Sequence, residues 1–236
     1  MPAIANAGNP MNINELDVLR WLHILAMVYW LGGEWGVFQT SYNVVNRALS
    51  LDERRRHMET AYRIDILART GILMLLPLGL HMGNIYGLQP FGGGWLWLIW
   101  GVMLAWLALT WSAFLSRETD RGLLLTRIDE IGRYLLIPSL AIAAVSSLLG
   151  HGPLLVSEGT YWYAAKILLY SFALCIGLGL RFIMRAWTVR FRRLALGPDA
   201  VEEAALEREI GWGRAMAYVY WATIAGVCFL GATKPF

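Results

Sequence analysis

Few side chains in this sequence could do chemistry. His23, His81, Lys166, Glu34 and Arg69 each stand inside a long apolar run. Charged or titratable groups are costly at membrane depth, so such residues are functional candidates by default. His23 lies about seven residues into the first run, His81 about seven before the end of the second, and Lys166 about six into the fifth. At about 1.5 Å per residue, the two histidines fall roughly 10 Å below one membrane surface, with Lys166 at a similar depth. Two imidazoles on different helices at one depth could ligate the iron of a transmembrane b-type haem from its two sides. Gly79 and Gly83 beside His81, with Gly32 and Gly33 on the first helix, would let a porphyrin approach the backbone. His151, in Gly150-His151-Gly152-Pro153, closes the fourth run nearer the same surface and is a secondary candidate ligand.

Other chemistry competes with haem. Met27 follows His23 by one helical turn and Met82 adjoins His81; thioether plus imidazole suits Cu(I). Each histidine could instead hydrogen-bond to a neighbouring helix. Lys166 is one of only two lysines, the other being Lys234. It could hold a haem propionate or a substrate carboxylate, or snorkel to the surface. Glu34 and Arg69 belong to the other leaflet and are expected to pair between helices 1 and 2, or to serve a proton path or a quinone. Glu34 lies eleven residues after His23, about 20° around the helix, so both occupy one face. Lys166, Glu34 and Arg69 are therefore the catalytic candidates. His23 and His81 are the candidate metal ligands, and His57, among arginines, reads as solvated.

These residues need long helices to position them. The 236 residues are 57% hydrophobic and only 16% charged, with formal net charge +3 and mean hydropathy +0.48. An ordinary soluble domain is nearer a quarter charged. The balance excludes a disordered chain and a disulfide scaffold, and it argues against a nucleic-acid partner. It points to an all-α, six-helix polytopic membrane protein in one domain, with spans about 16–41, 64–88, 94–115, 131–150, 160–184 and 212–232. Cys175 and Cys228 fall in apolar runs and read as small buried residues. The N-terminal segment lacks the basic region of a cleavable signal peptide.

The basic residues set the orientation. Segments 42–63, 116–133 and 185–214 hold fifteen of the 20 cations, while 89–93 and 151–159 hold none. Basic connections stay cytoplasmic. Both termini are thus expected in the periplasm of a bacterium, with the chain in the inner membrane. Pro198–Glu209 reads as a short acidic helix, with Asp199 favoured at its N-terminus.

Several motifs resemble a known family. Leu19-Arg20-Trp21-Leu22-His23-Ile24, continuing to Trp30-Leu31-Gly32-Gly33, looks like the first helix of the HemJ/CopD-like membrane proteins. Tyr161-Trp162-Tyr163-Ala164-Ala165-Lys166-Ile167-Leu168-Leu169 is similar to a later helix of that family, and Gly71–Gly79 more loosely to its second. The resemblance implies b-haem, with His23 as ligand, Lys166 as the second essential residue, and protoporphyrinogen oxidation as the reaction. The family's members have about four spans (HemJ) or are longer (CopD), and the extra histidines here favour a bis-imidazole, electron-transfer haem. The expected function is therefore haem-based electron transfer or oxidoreduction, with a quinone or periplasmic partner. Copper transport or tolerance, or a structural subunit of a larger complex or homo-oligomer, are the alternatives.

Overall fold

The computed structural model describes residues 13–117 and 119–236; most of the N-terminal segment considered for a signal peptide lies outside them. Six helices follow in order: α1 (Glu15–Val44), α2 (Leu51–Ile85), α3 (Gly94–Leu115), α4 (Asp120–Leu148), α5 (Tyr161–Leu194) and α6 (Ala200–Thr233). No strand occurs among the described residues. Helices α2 to α6 are long and apolar enough to cross a membrane. Helix α1 has the length, with 30 residues, but Arg20, His23 and Glu34 interrupt its apolar run. Its exposed face still carries Trp21, Ile24, Val28 and Trp35, as a helix of the same bundle would.

The helix ends explain the boundaries. Asn14 caps α1 and Ser50 caps α2, each in a capping box with the acidic residue three positions on. Two backbone donors that would otherwise be orphaned are satisfied at each end. Asp199 caps α6 by accepting from the amides of Val201 and Glu202. The acidic segment expected as a separate helix is instead the first turns of α6 and runs directly into the span.

The basic connections are mostly helix, not loop. Arg54, Arg55, Arg56 and Arg63 lie on α2, Arg121, Arg127 and Arg133 on α4, and Arg185 to Arg193 on α5. With 35 residues, α2 is about 52 Å long, well beyond a hydrocarbon core of about 30 Å. The surplus projects at the basic end of the bundle. There Arg54 pairs with Glu203, Arg47 with Glu207, and Arg190 with Glu202 and Glu209, joining the helix extensions.

Helices α1 and α2 pack along their length, as do α5 and α6, while α3 and α4 lie to one side. A Cβ at Gly71 would come 2.7 Å from the backbone nitrogen of Trp30 and nearer still to the carbonyl of Ala26. Only a glycine allows the two helices this close, an arrangement common where packing replaces hydrophobic exclusion. The core is centred on Trp30, Leu73, Leu174, Tyr220 and Ile224. Trp30 Nε1 donates to the Tyr220 hydroxyl at 2.9 Å, so the most buried polar atoms there satisfy each other.

Candidate functional site

A cavity of about 560 Å³ opens towards the end of the bundle where α1 begins and α6 ends. Four helices build it: α1 with His23, Met27 and Trp30, α2 with Gly79 and Gly83, α5 with Tyr163, Lys166 and Tyr170, and α6 with Cys228 and Gly231. The volume lies within the range of ordinary ligand sites, and the walls are largely apolar and aromatic, as such sites require. His23 and Lys166, singled out by sequence on helices 143 positions apart, meet here.

His23 is distinctive. Its Nδ1 is buried and has no hydrogen-bond partner among the described residues. Buried polar atoms are normally paired, and an exception calls for an explanation. The ring lies against α2, with Cε1 3.5 Å from where a Cβ on Gly79 would be. Lys166 is packed against α6, where a Cβ on Gly231 would stand 2.5 Å from Nζ. Any larger residue at 231 would push the ammonium away.

His81 does not join them. Its Nε2 lies 3.1 Å from Oε1 of Glu15, and its Nδ1 accepts from Trp100 Nε1 at 3.3 Å. Both ring nitrogens are engaged, and the residue does not line the cavity. The two histidines expected as a pair thus do not share the cavity in this structure. Gly79 and Gly83 face the cavity, and His81 is two residues from each, about 200° around the helix. Of the glycines that flank His81 in sequence, Gly79 therefore makes room beside His23 and Gly83 makes room for the ring of Tyr163. His151 sits in the exposed turn after α4, its amide bonded to the Ser146 carbonyl, and is likewise outside the cavity.

Two cations that are not among the sequence-predicted site residues do line it. Arg20 donates to the Tyr86 hydroxyl at 3.2 Å. Lys234 stands over the Tyr86 ring at 4.5 Å and near Trp162. The chain end is held there because the Trp162 amide donates to the Phe236 carbonyl. Arg20, Lys166 and Lys234 thus converge from α1, α5 and the segment after α6. Proximity of chain ends, invisible in sequence, brings them together.

The donor set can be compared with what a b-type haem requires. One imidazole with an unpartnered buried nitrogen, apolar and aromatic walls, and three cations for two carboxylates fit that group. His23 would hold the iron, and Arg20, Lys166 and Lys234 would face the propionates. No second histidine lines the cavity among the described residues. Met27, Met82 and Cys228 also line it, a set that suits Cu(I) as well. Both cysteines are free; Cys175 is exposed on α5, not buried as its apolar surroundings suggest.

The expected Glu34–Arg69 pair does not form. Arg69 pairs with Asp65, one turn before it on the same helix, and a neighbour on one helix outcompetes a carboxylate that must be brought from another. Glu34 lines a small cavity with Asp65, Arg181 and Arg214. Beyond it lies a polar centre that the sequence reading misses. Asp129 is fully buried and accepts from Trp106 Nε1 at 2.7 Å, Thr110 Oγ1 at 3.0 Å, Arg133 Nε at 3.1 Å, and Arg181. Asp65, Asp129 and Arg181 each lie within about three residues of an expected span boundary, where charge is unremarkable by sequence. Only the tertiary structure makes them interior.

Comparison of the chain with protein-family models, with curated proteins and with solved structures found no match.

Proposed function

We propose that the protein binds a b-type haem in the membrane and serves electron transfer or oxidoreduction, with a quinone or a protoporphyrinogen-like molecule as partner. The observation that carries this reading is the unpartnered, buried Nδ1 of His23 in the wall of a four-helix cavity that also presents Lys166. The HemJ/CopD-like motifs around His23 and Lys166 support it. Haem would supply one-electron chemistry when bound.

The residues of the chain would then have distinct tasks. His23 would hold the iron. Lys166, Arg20 and Lys234 would bind carboxylates, as cations in apolar surroundings do well. Trp30, Tyr163 and Tyr170 would exclude water from the cavity floor, where the Tyr170 hydroxyl is already committed to the Ile72 carbonyl at 2.6 Å. Glu34, near the Arg69–Asp65 pair on the basic side of that floor, would exchange protons with the opposite end of the bundle. With the basic helix extensions cytoplasmic, both termini and the cavity mouth would face the periplasm across a bacterial inner membrane.

Copper binding is the second reading, favoured by Met27, Met82 and Cys228 around His23. Protein purified from haem-sufficient cells separates the two. A Soret band with a reduced α-band of the b type, lost in His23→Ala, is the expected result. Stoichiometric copper without haem would replace the first reading by the second, and neither cofactor would overturn both.

A further inference from the structure

A second cavity, of about 670 Å³, opens at the basic end between α2, α3, α4 and α5. It has no part in the cofactor site and does not depend on that reading. Six arginines line it (Arg55, Arg69, Arg117, Arg181, Arg185 and Arg192) against three carboxylates, Asp52, Glu59 and Asp65. Four of the six have local partners. Arg117 pairs with Glu59 at 2.8 Å, Arg69 with Asp65, Arg181 with Asp129 and Arg185 with Glu130. Arg55 and Arg192 have no carboxylate within ion-pair distance among the described residues. Both are exposed and line the cavity from different helices, α2 and α5. Asp52, exposed in the first turn of α2, has no such partner among the described residues.

Shape adds to charge. From Arg55 to Arg69 is fourteen residues of α2, so the slot runs about 21 Å from the helix extension into the span. Between its ends Met58, Phe114, Met184 and Val189 give the wall an apolar stretch, beside Tyr62 and Thr188 and the carboxylates Glu59 and Asp65, which Arg117 and Arg69 already pair. A small soluble anion would leave that wall wet. An amphiphile would match both parts, with its phosphate between two guanidiniums and its hydrocarbon along the wall. Guanidinium binds phosphate bidentately, and basic pockets between membrane helices on the side of the basic loops take anionic headgroups.

We infer that this slot is a binding site for an anionic phospholipid, whose headgroup phosphate is held between Arg55 and Arg192. The test uses the full-length protein in a neutral detergent, titrated with phosphatidylglycerol, phosphatidylcholine or inorganic phosphate and read by native mass spectrometry. Phosphatidylglycerol is expected to bind saturably and at least tenfold more tightly than phosphatidylcholine. Arg55→Gln with Arg192→Gln should remove that preference, while Arg121→Gln with Arg127→Gln, exposed on α4 away from the cavity, should keep it. Equal binding of the two lipids overturns the site even without any variant. Equal loss in both double variants reduces the effect to overall charge and also overturns it. Inorganic phosphate binding as tightly as phosphatidylglycerol, with the same arginine dependence, would overturn the lipid assignment in favour of a soluble anion.

Discussion

Replacing Asp129 by alanine should be among the most damaging single substitutions in this protein. The carboxylate has no exposed surface and ties three helices: Trp106 and Thr110 of α3, Arg133 of its own α4, and Arg181 of α5. Its removal leaves two guanidiniums buried beside each other without a counter-charge, and an indole and a hydroxyl without an acceptor. Removing one partner of a buried ion pair costs about 3–5 kcal/mol. The two neutral donors could add about 1 kcal/mol each, partly relieved if water enters the space. For a domain of this size, about 1 kcal/mol corresponds to roughly 2–4 °C in melting temperature. Asp129→Ala should therefore lower the thermal midpoint in detergent by 10 °C or more, taking about 4 kcal/mol at the middle of that range. Asp129→Asn keeps an acceptor and should fall between alanine and the native protein. An alanine variant melting within about 2 °C of the native protein would show that the network adds nothing, and the account of α3–α4–α5 association would fail.

Other outcomes follow from the same geometry. His81→Ala should leave the cofactor spectrum unchanged while His23→Ala abolishes it; loss of the spectrum in both would restore the two-histidine reading. Gly231→Leu should displace the Lys166 ammonium and weaken cofactor retention on dilution, with the fold intact by circular dichroism; unaltered retention would remove Lys166 from the site. At the basic end, hydrogen bonds from Arg54 hold the Glu203 carboxyl below its ordinary range, and those from Arg190 and Arg193 do the same for Glu202. A carboxylate with a lowered folded-state pKa adds stability that is complete above the unfolded value of about 4.3 and is lost as pH falls through the lower folded value. The melting temperature should thus drop between pH 5 and pH 3, and less steeply in Glu203→Gln; identical pH profiles would refute the contribution of that pair.

How far the sequence carries can be judged residue by residue. Length and hydropathy locate the helices, because a buried backbone in lipid must bond within its own segment. The cation count sorts the connections into two classes, and the structure keeps that division although it turns the basic connections into helix extensions. His23 and Lys166 were recognisable as a pair by depth. His81 was matched to them equally well by depth and proved to point elsewhere, towards Glu15 and Trp100. Arg20 and Lys234, which share the cavity, are not distinguished by sequence, since one lies near the start of the first apolar run, where a cation is unremarkable, and the other follows the last.

The distinction has a physical basis. A helix has a fixed rise per residue, so position along the chain determines height in the membrane. Its rotation about its own axis, and its choice of neighbours, depend on side-chain packing between helices. Gly71 against Trp30 sets α1 on α2, and Asp129 gathers α3 and α5 around α4. Those contacts turn Gly79 towards His23, Gly83 towards Tyr163, and His81 away from the cavity. Composition and periodicity determined which helices exist and which polar groups share a level; only the packed bundle decided which of those groups share a cavity.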